Sequence, residues 1–389
     1  MIGWGTLNRR RLATSLATCL TGAASIRLSF ATRQDRPPFY SELLWQANVC
    51  ETMGSPFTAR VLRLLRQNPL KNQLVRNKLE EIKDPHSGYV PLRITGALHH
   101  LVITEKDLNL AELYPPNSQL SDRDLLEGIQ NAIDSNPEIF LDYLKSPPQT
   151  NEVGRSGFIL PCLLQASRDF QLPISLLEIG SSAGLNLQLD HFHYTYGQSA
   201  WGDCCSSVDI TPNMRGEKLP NLSGNLRIIS KRGCDLNPID ITDKEARVRL
   251  LSYVWPDQLN RKKNLAGALD IAYNHNREYI VEKESAESWV KKELGRDTPG
   301  STKVLFHTVM WTYLPDNIKK DIENSIKKTG AKATIHSPLV HITFEEPTGE
   351  KDASRYLTMQ SWPGVNGRPA GEKVVLAVGC SHGNWIKWR

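Results

Sequence analysis

The sequence predicts an α/β protein: a mostly parallel sheet flanked by helices, with an antiparallel edge and a helical N-terminal subdomain. Three observations carry this. From residue 172 onward short apolar runs alternate with helical patterns, the repeat that builds a parallel sheet with helices on both faces. The last two runs, 356–360 and 374–378, leave no room for a helix between them, which reads as an antiparallel edge. From 35 to 144 the apolar residues recur at helical spacing.

Bulk properties bound the function. The chain has 389 residues, enough for two domains or one large domain with an extension. The net charge is +5, with much of the excess in the first segment, so it argues poorly for nucleic acid. There is also no basic, aromatic-interleaved patch of the kind that binds single strands. The seven cysteines contain no C-x-x-C pair, which disfavours a zinc ribbon and reads as free thiols in a reducing compartment. No run of 18 apolar residues occurs, so no membrane span is expected.

Residues 1–34 stand apart as an extension. They hold no Asp or Glu but do hold Arg9, Arg10, Arg11, Arg27 and Arg33, the composition of an organelle transit peptide. A disordered extension, or an upstream start codon wrongly chosen, explains them about as well. An export signal fits less, because Thr14, Ser15, Thr18 and Thr21 dilute its apolar part. The expected location is a mitochondrial or other organelle matrix on the first reading, and the cytoplasm otherwise.

The helical subdomain is expected over 35–148. Phe39, Tyr40, Leu43, Leu44 and Ala47 open it, and Pro56-Phe57 starts a second helix that Asn68-Pro69 ends. Residues 98–103 read as part of a buried helix in which His99 and His100 are structural. Ser121 or Asp122 caps the next helix, and Pro147-Pro148 closes the region.

The sheet domain is expected over 149–389. Its entry, Gln149-Thr150-Asn151-Glu152-Val153-Gly154-Arg155, is polar and precedes an apolar helix at 158–170. On spacing alone it is a loop and helix cap, although that leaves Arg155 unexplained. A first strand at 174–179 turns at Gly180 and Gly184 into a helical pattern from Leu185. The long stretch 194–225 reads as an insertion or lid. Further strands are expected at 226–229, 279–281, 304–306 and 340–344, with helices at 246–273, interrupted at Trp255-Pro256, and at 316–328.

Ligands of open α/β sheets bind beyond the carboxyl ends of the strands. Glu178, Asp235, Glu284 and His307 follow four successive strands. One such coincidence is a turn residue; four are less readily so. A carboxylate after the second strand can accept from a ribose diol, and one after the third from an adenine amino group. The dinucleotide fingerprint fails, because positions three and six are Ser182 and Leu185. The Tyr279/Lys283 pair of short-chain dehydrogenases is strand-like here, where that pair belongs on a helix. The order Glu178-x-Gly180-x-Ser182-x-Gly184 resembles the acidic-x-Gly-x-Gly-x-Gly turn of class I methyltransferases that use S-adenosylmethionine (SAM). The resemblance implies a Rossmann-like, methyltransferase-type sheet, with SAM held by Glu178, Gly180, Ser181, Ser182, Gly184, Asn186, Asp235, Asn237 and Glu284.

A closer resemblance rests on the block 149–155, the turn 178–186, Gly233 to Pro238, Val254-Trp255-Pro256, the run 306–315 and Ser381-His382-Gly383. In this order they resemble a mainly bacterial family of unknown function with a methyltransferase-like core, covering roughly 36–389. It implies that Asn151, Glu152 and Arg155 form a polar lip on the ligand site. It also implies that 1–34 is an addition. The chain departs from the family at Lys283-Glu284, where an Asp after Gly is usual, and around His382.

His307 reads equally as a base near neutral pH or as a buried structural histidine. Trp311 and Tyr313 read as packing. Asp190, His191 and His193 are not expected to bind a metal, because residues two apart on a helix diverge. Two functions follow: a SAM-dependent methyltransferase with His307, Asn151, Glu152 and Arg155 facing the acceptor, or a non-catalytic binding or assembly protein on a degenerate form of that fold. The acceptor, a small molecule or a protein, is not legible.

Overall fold

A computed structural model of the chain describes residues 39–86, 88–117, 121–347 and 354–389. The expectations for 1–34 lie outside these residues. Helices α1 (Phe39–Thr52), α2 (Pro56–Gln67), α3 (Gln73–Glu80), α4 (Val90–Ile103), α5 (Leu108–Glu112), α6 (Asp122–Ser135) and α7 (Pro137–Tyr143) come first. Asn72, Asp107 and Ser121 start α3, α5 and α6 by accepting the N–H three residues on, which satisfies a donor the helix leaves open. Leu62, Leu98 and Ile129 meet in their core, and Tyr253 and Trp255 from the sheet side join it. Asp257 ties the two parts together, because it accepts the Phe57 N–H at 2.9 Å and the hydroxyl of Ser55, the N-cap of α2.

The remaining elements are α8 (Ser156–Phe170), β1 (Ile174–Ile179), β2 (His193–Tyr196), β3 (Ser199–Trp201), β4 (Asp209–Ile210), β5 (Asn213–Met214), β6 (Ile228–Asp235), α9 (Lys244–Ser252), α10 (Leu259–Asn274), β7 (Tyr279–Lys283), α11 (Ala286–Gly295), β8 (Thr302–Thr308), α12 (Asp316–Gly330), β9 (Leu339–Glu345), β10 (Ser354–Trp362), β11 (Val374–Cys380) and β12 (Trp385–Trp388). The architecture is mixed α/β around one large sheet of order β7-β6-β1-β8-β9-β10-β11-β12-β5. Strands β7, β6, β1, β8 and β9 run parallel, β10, β11 and β12 follow one another antiparallel, and β5 pairs parallel to β12. The chain leaves β1 toward β6 on one side and later returns to β8 on the other. The order therefore reverses beside β1, which makes the carboxyl ends of β1 and β8 the switch point of the sheet.

Four expectations need correction. The second strand lies at Ile228–Asp235, not 226–229, and carries two cations with distant partners: Lys231 pairs with Asp190 at 2.7 Å, and Arg232 pairs with Glu282 and Glu293. The pair β10 and β11 is antiparallel but is not the edge, because β12 and β5 add beyond it. The stretch 194–225 is no lid: β2, β3 and β4 form a second small sheet whose Tyr194 and Tyr196 are fully buried. After the turn the chain forms a 3-10 turn, Leu185–His191, and not an α-helix. All of Leu185–Leu189 is buried, so the segment has no solvent face of the kind an amphipathic helix needs.

Candidate functional site

The turn after β1 is fixed by its own backbone. Gly180, Ser182 and Gly184 have φ of 71°, 54° and 72°, a region that costs a serine strain and a glycine almost none. The N–H groups of Gly180 and Ser181 donate to Cys234 O at 2.9 and 3.0 Å, and Ser181 Oγ donates to Glu178 O at 3.0 Å. A Cβ on Gly184 would lie 2.5 Å from the Tyr279 ring, and one on Gly180 would lie 3.1 Å from Met310. Both glycines therefore make room for the protein's own side chains.

Asp235 supports the turn from the end of β6. Its Oδ2 accepts the Ser182 N–H at 2.9 Å, and its Oδ1 accepts the Asn237 N–H at 2.9 Å. Gln149 covers it, donating to Asn237 O at 2.9 Å. Asn151 does the same for the next step, as its Oδ1 accepts the Leu185 N–H at 2.9 Å. Glu284 is placed differently: it is part-exposed on the rim and ion-paired with Lys292 of α11.

Beneath the turn Ser182 Oγ is buried without a hydrogen-bond partner, and the side chains of Glu178 and Asn186 turn to each other. Burial pushes the Glu178 carboxyl well above the ordinary range, against the Ser181 hydroxyl and the Arg155 charge, which pull it down. Asn186 Nδ2 donates to Glu152 O at 3.4 Å.

The block 149–155 is a wall more than a lip. The Glu152 carboxylate, 8 % exposed, forms a buried ion pair with Arg261 of α10, Nε to Oε2 being 2.9 Å. Arg155 donates to Ser381 O at 2.9 Å and to Thr308 O at 3.2 Å. It thereby joins the ends of β8 and β11 to the start of α8.

His307 stands on the other face of the sheet. Leu176 packs into the core under α8, whereas Leu177 and Leu305 pack toward α11 and α12. Successive strand residues alternate, so Glu178 shares the α8 side and His307 the α12 side. His307 Nδ1 lies 2.8 Å from Glu345 Oε1, which also accepts the Met310 N–H at 3.2 Å. A carboxylate there takes a hydrogen bond from Nδ1. Nε2 is buried without a partner. Trp311 stacks on the ring at 4.7 Å, and His341 is 5.3 Å away. Burial, then the neighbouring His307, pushes His341 down to about 3. Tyr313, by contrast, is exposed, its hydroxyl 3.4 Å from that of Tyr89.

Beyond the wall lies a cleft of about 340 Å³ between the first turns of α10, the segment after β4 and the loop after β11. His382 lines it, with its ring edge-on to Trp255 at 5.1 Å. Burial, helped by Arg261 and Arg155, holds its pKa far below the ordinary value.

The structure thus gathers Glu178, Gly180, Ser181, Ser182, Gly184, Asn186, Asp235 and Asn151 around one turn, and Glu152 and Arg155 beside it. Asn237 and Glu284 sit on the rim, and His307 is across the sheet. Sequence reasoning did not single out Glu345, although the rule that found Glu178, a polar residue closing a strand, applies equally to β9. Arg261 left no signal, because a basic residue on a helix is ordinary.

Among the described residues, His191, His275 and Glu278 come close enough to share an ion. Lys231 stands 3.3 Å from His191 Nε2 in that group, and His193 turns away to Asp209 at 3.0 Å. Six described cysteines are free thiols. No described helix is long and apolar enough to cross a membrane.

No curated protein matches the chain. A family model described as "Uncharacterized protein conserved in bacteria (DUF2332)" covers residues 41–388, helical part and sheet together. It leaves 1–34 outside, and a family conserved in bacteria lends the organelle reading of that segment no support. With most of its length matched, the chain belongs to this uncharacterised bacterial family.

Proposed function

We propose that the switch point binds SAM and that the protein is a methyltransferase on a Rossmann-like, methyltransferase-type sheet. The observation that carries this reading is the set of buried polar groups under the turn, where Ser182 Oγ has no partner and the side chains of Glu178 and Asn186 turn to each other. An unpartnered buried polar atom costs roughly 1–3 kcal/mol, and a polar ligand at the turn supplies a partner. In that sense the residues fit the cofactor. Bound there, SAM supplies a methyl group on a sulfonium centre.

Asp235 keeps lone pairs beyond its two backbone bonds, enough to accept from a ribose diol. Gly180, Ser181, Ser182, Gly184 and Asn186 shape the floor, and Asn237 and Glu284 the rim. On the acceptor side, Glu152 and Arg155 hold the wall and Asn151 holds the turn. His307, anchored on Glu345, is the candidate base for an acceptor that reaches the far face of the sheet past the ends of β1 and β8. Arg155 is bonded to Thr308 O, at the end of the strand that carries His307.

A non-catalytic binding or assembly role is the second reading. It draws on Asp235 already accepting on both oxygens, on Glu284 tied to Lys292, and on Met310 covering Gly180. Thermal unfolding of the full chain with SAM, its demethylated product or NAD separates the readings. SAM and its product are expected to raise the midpoint and NAD to leave it unchanged. No rise with either of the first two favours the second reading.

A further inference from the structure

Three side chains from three elements meet beside the start of β7, away from the turn after β1. His191 is the last residue of the 3-10 turn, His275 caps the carboxyl end of α10, and Glu278 immediately precedes β7. His193 turns away to Asp209, so the partners of His191 come from α10 and the turn after it. The rings of His191 and His275 stack at 4.1 Å. Glu278 reaches both, with Oε1 2.8 Å from His275 Nδ1 and Oε2 3.7 Å from His191 Nε2. The backbone sets two of the three in place: the His275 N–H donates to Ile271 O at 3.0 Å, and the Glu278 N–H donates to His275 O at 2.9 Å.

One nitrogen or oxygen of each residue lies within 4.8 Å of the others. Ligand atoms at about 2.1 Å from one tetrahedral ion lie roughly 3.4 Å apart, so small side-chain rotations close the difference. Two imidazoles and one carboxylate, with a fourth position left for water, are the donors of zinc and its transition-metal neighbours, and not of magnesium or calcium. The protonation fits as well. Burial holds the pKa of His191 below the ordinary value, so its ring is neutral at neutral pH. An ammonium group can only donate, so the Lys231 ammonium, 3.3 Å from His191 Nε2, marks that nitrogen as the acceptor, and its lone pair is what a metal needs. Lys231 also reaches Asp190 Oδ1 at 2.7 Å and Gln188 Oε1 at 3.4 Å, so it gives up this contact without losing its counter-charge. At His275 the ion takes the place of the hydrogen between Nδ1 and Glu278 Oε1. The last turn of α10 holds no Lys or Arg, and a helix carboxyl end favours positive charge.

We infer that His191, His275 and Glu278 bind a divalent transition-metal ion of the zinc type, which fastens the 3-10 turn to the end of α10. The inference stands whether or not the turn after β1 binds SAM. It is tested by isothermal titration of the full chain, without SAM, with zinc chloride and with magnesium chloride. Asp203, Cys204 and Cys205 form a second, exposed group of zinc-binding side chains, so each titration is repeated on a Cys204→Ser/Cys205→Ser chain. Saturable binding of one zinc per chain is expected to survive that double change, with no magnesium binding. His275→Ala and Glu278→Gln, both changes of part-exposed side chains, are each expected to weaken it about tenfold or more, and His193→Ala to leave it unchanged. Binding is also expected to weaken as pH falls from about 7 to about 5, because the ion competes with protons for both imidazoles. No zinc binding by the full chain overturns the inference. So does zinc binding that disappears in the Cys204→Ser/Cys205→Ser chain, or that is unchanged in both His275→Ala and Glu278→Gln.

Discussion

Glu178 is a carboxyl group held where a carboxylate is uncomfortable. It is 2 % exposed, and burial raises its pKa well above 4.5. The folded chain therefore keeps the proton at pH values where the unfolded chain has released it. Stability drawn from this residue is complete below the unfolded pKa and falls as pH rises from there through the raised folded value. Glu178→Gln removes the ionisation and keeps the shape. In urea unfolding the variant is expected to exceed the parent at about pH 8 and to converge with it at about pH 4. Equal or lower stability at the higher pH contradicts a buried, uncompensated carboxyl. A residue that costs the fold and is nevertheless present fits a site where function and stability compete. Its place was legible, since a strand, an acid and a glycine turn follow one another in the sequence. The left-handed Ser182 was not, because nothing in a serine's neighbours announces a positive φ.

The turn after β1 is an element made by residues from three segments. Asn151 supplies the acceptor for Leu185, Asp235 the acceptor for Ser182, and Tyr279 the wall against Gly184. Asn151→Ala leaves the Leu185 N–H unpaired in a buried place and is expected to cost about 1–2 kcal/mol in urea unfolding. Asn151→Asp keeps an acceptor oxygen and is expected to recover most of that. If both variants cost nothing, Asn151 is not the cap of this turn. Capped helices were readable because their signals are local, as with Ser121 before α6 and Pro56 opening α2. β6 was misplaced because Lys231 and Arg232 look unlike strand residues until Asp190, Glu282 and Glu293 come beside them. β2 to β5 are two to four residues long, too short for periodicity to register.

On the scale of the molecule, the helical part and the sheet part share structure. Tyr253 and Trp255 fill the core of the first seven helices, while Trp255 also meets His382 at the cleft. Trp255→Ala is expected to cost about 3–5 kcal/mol and to lower a single, shared unfolding transition. Two transitions, with only one of them moved, contradict the shared core. The parallel centre of the sheet was legible from alternating strands and helices, each side chain pattern being nearly continuous in sequence. The outer strands β12 and β5 were not, since they pair across a separation that no local pattern encodes. The central claim concerns the switch point that this order creates. Isothermal titration of the full chain with SAM tests it most directly. The account predicts saturable heat at one SAM per chain, with a dissociation constant between about 1 μM and 1 mM, the range usual for enzyme substrates, and weaker binding in Glu178→Gln. No heat from SAM or its demethylated product at roughly millimolar concentration contradicts it.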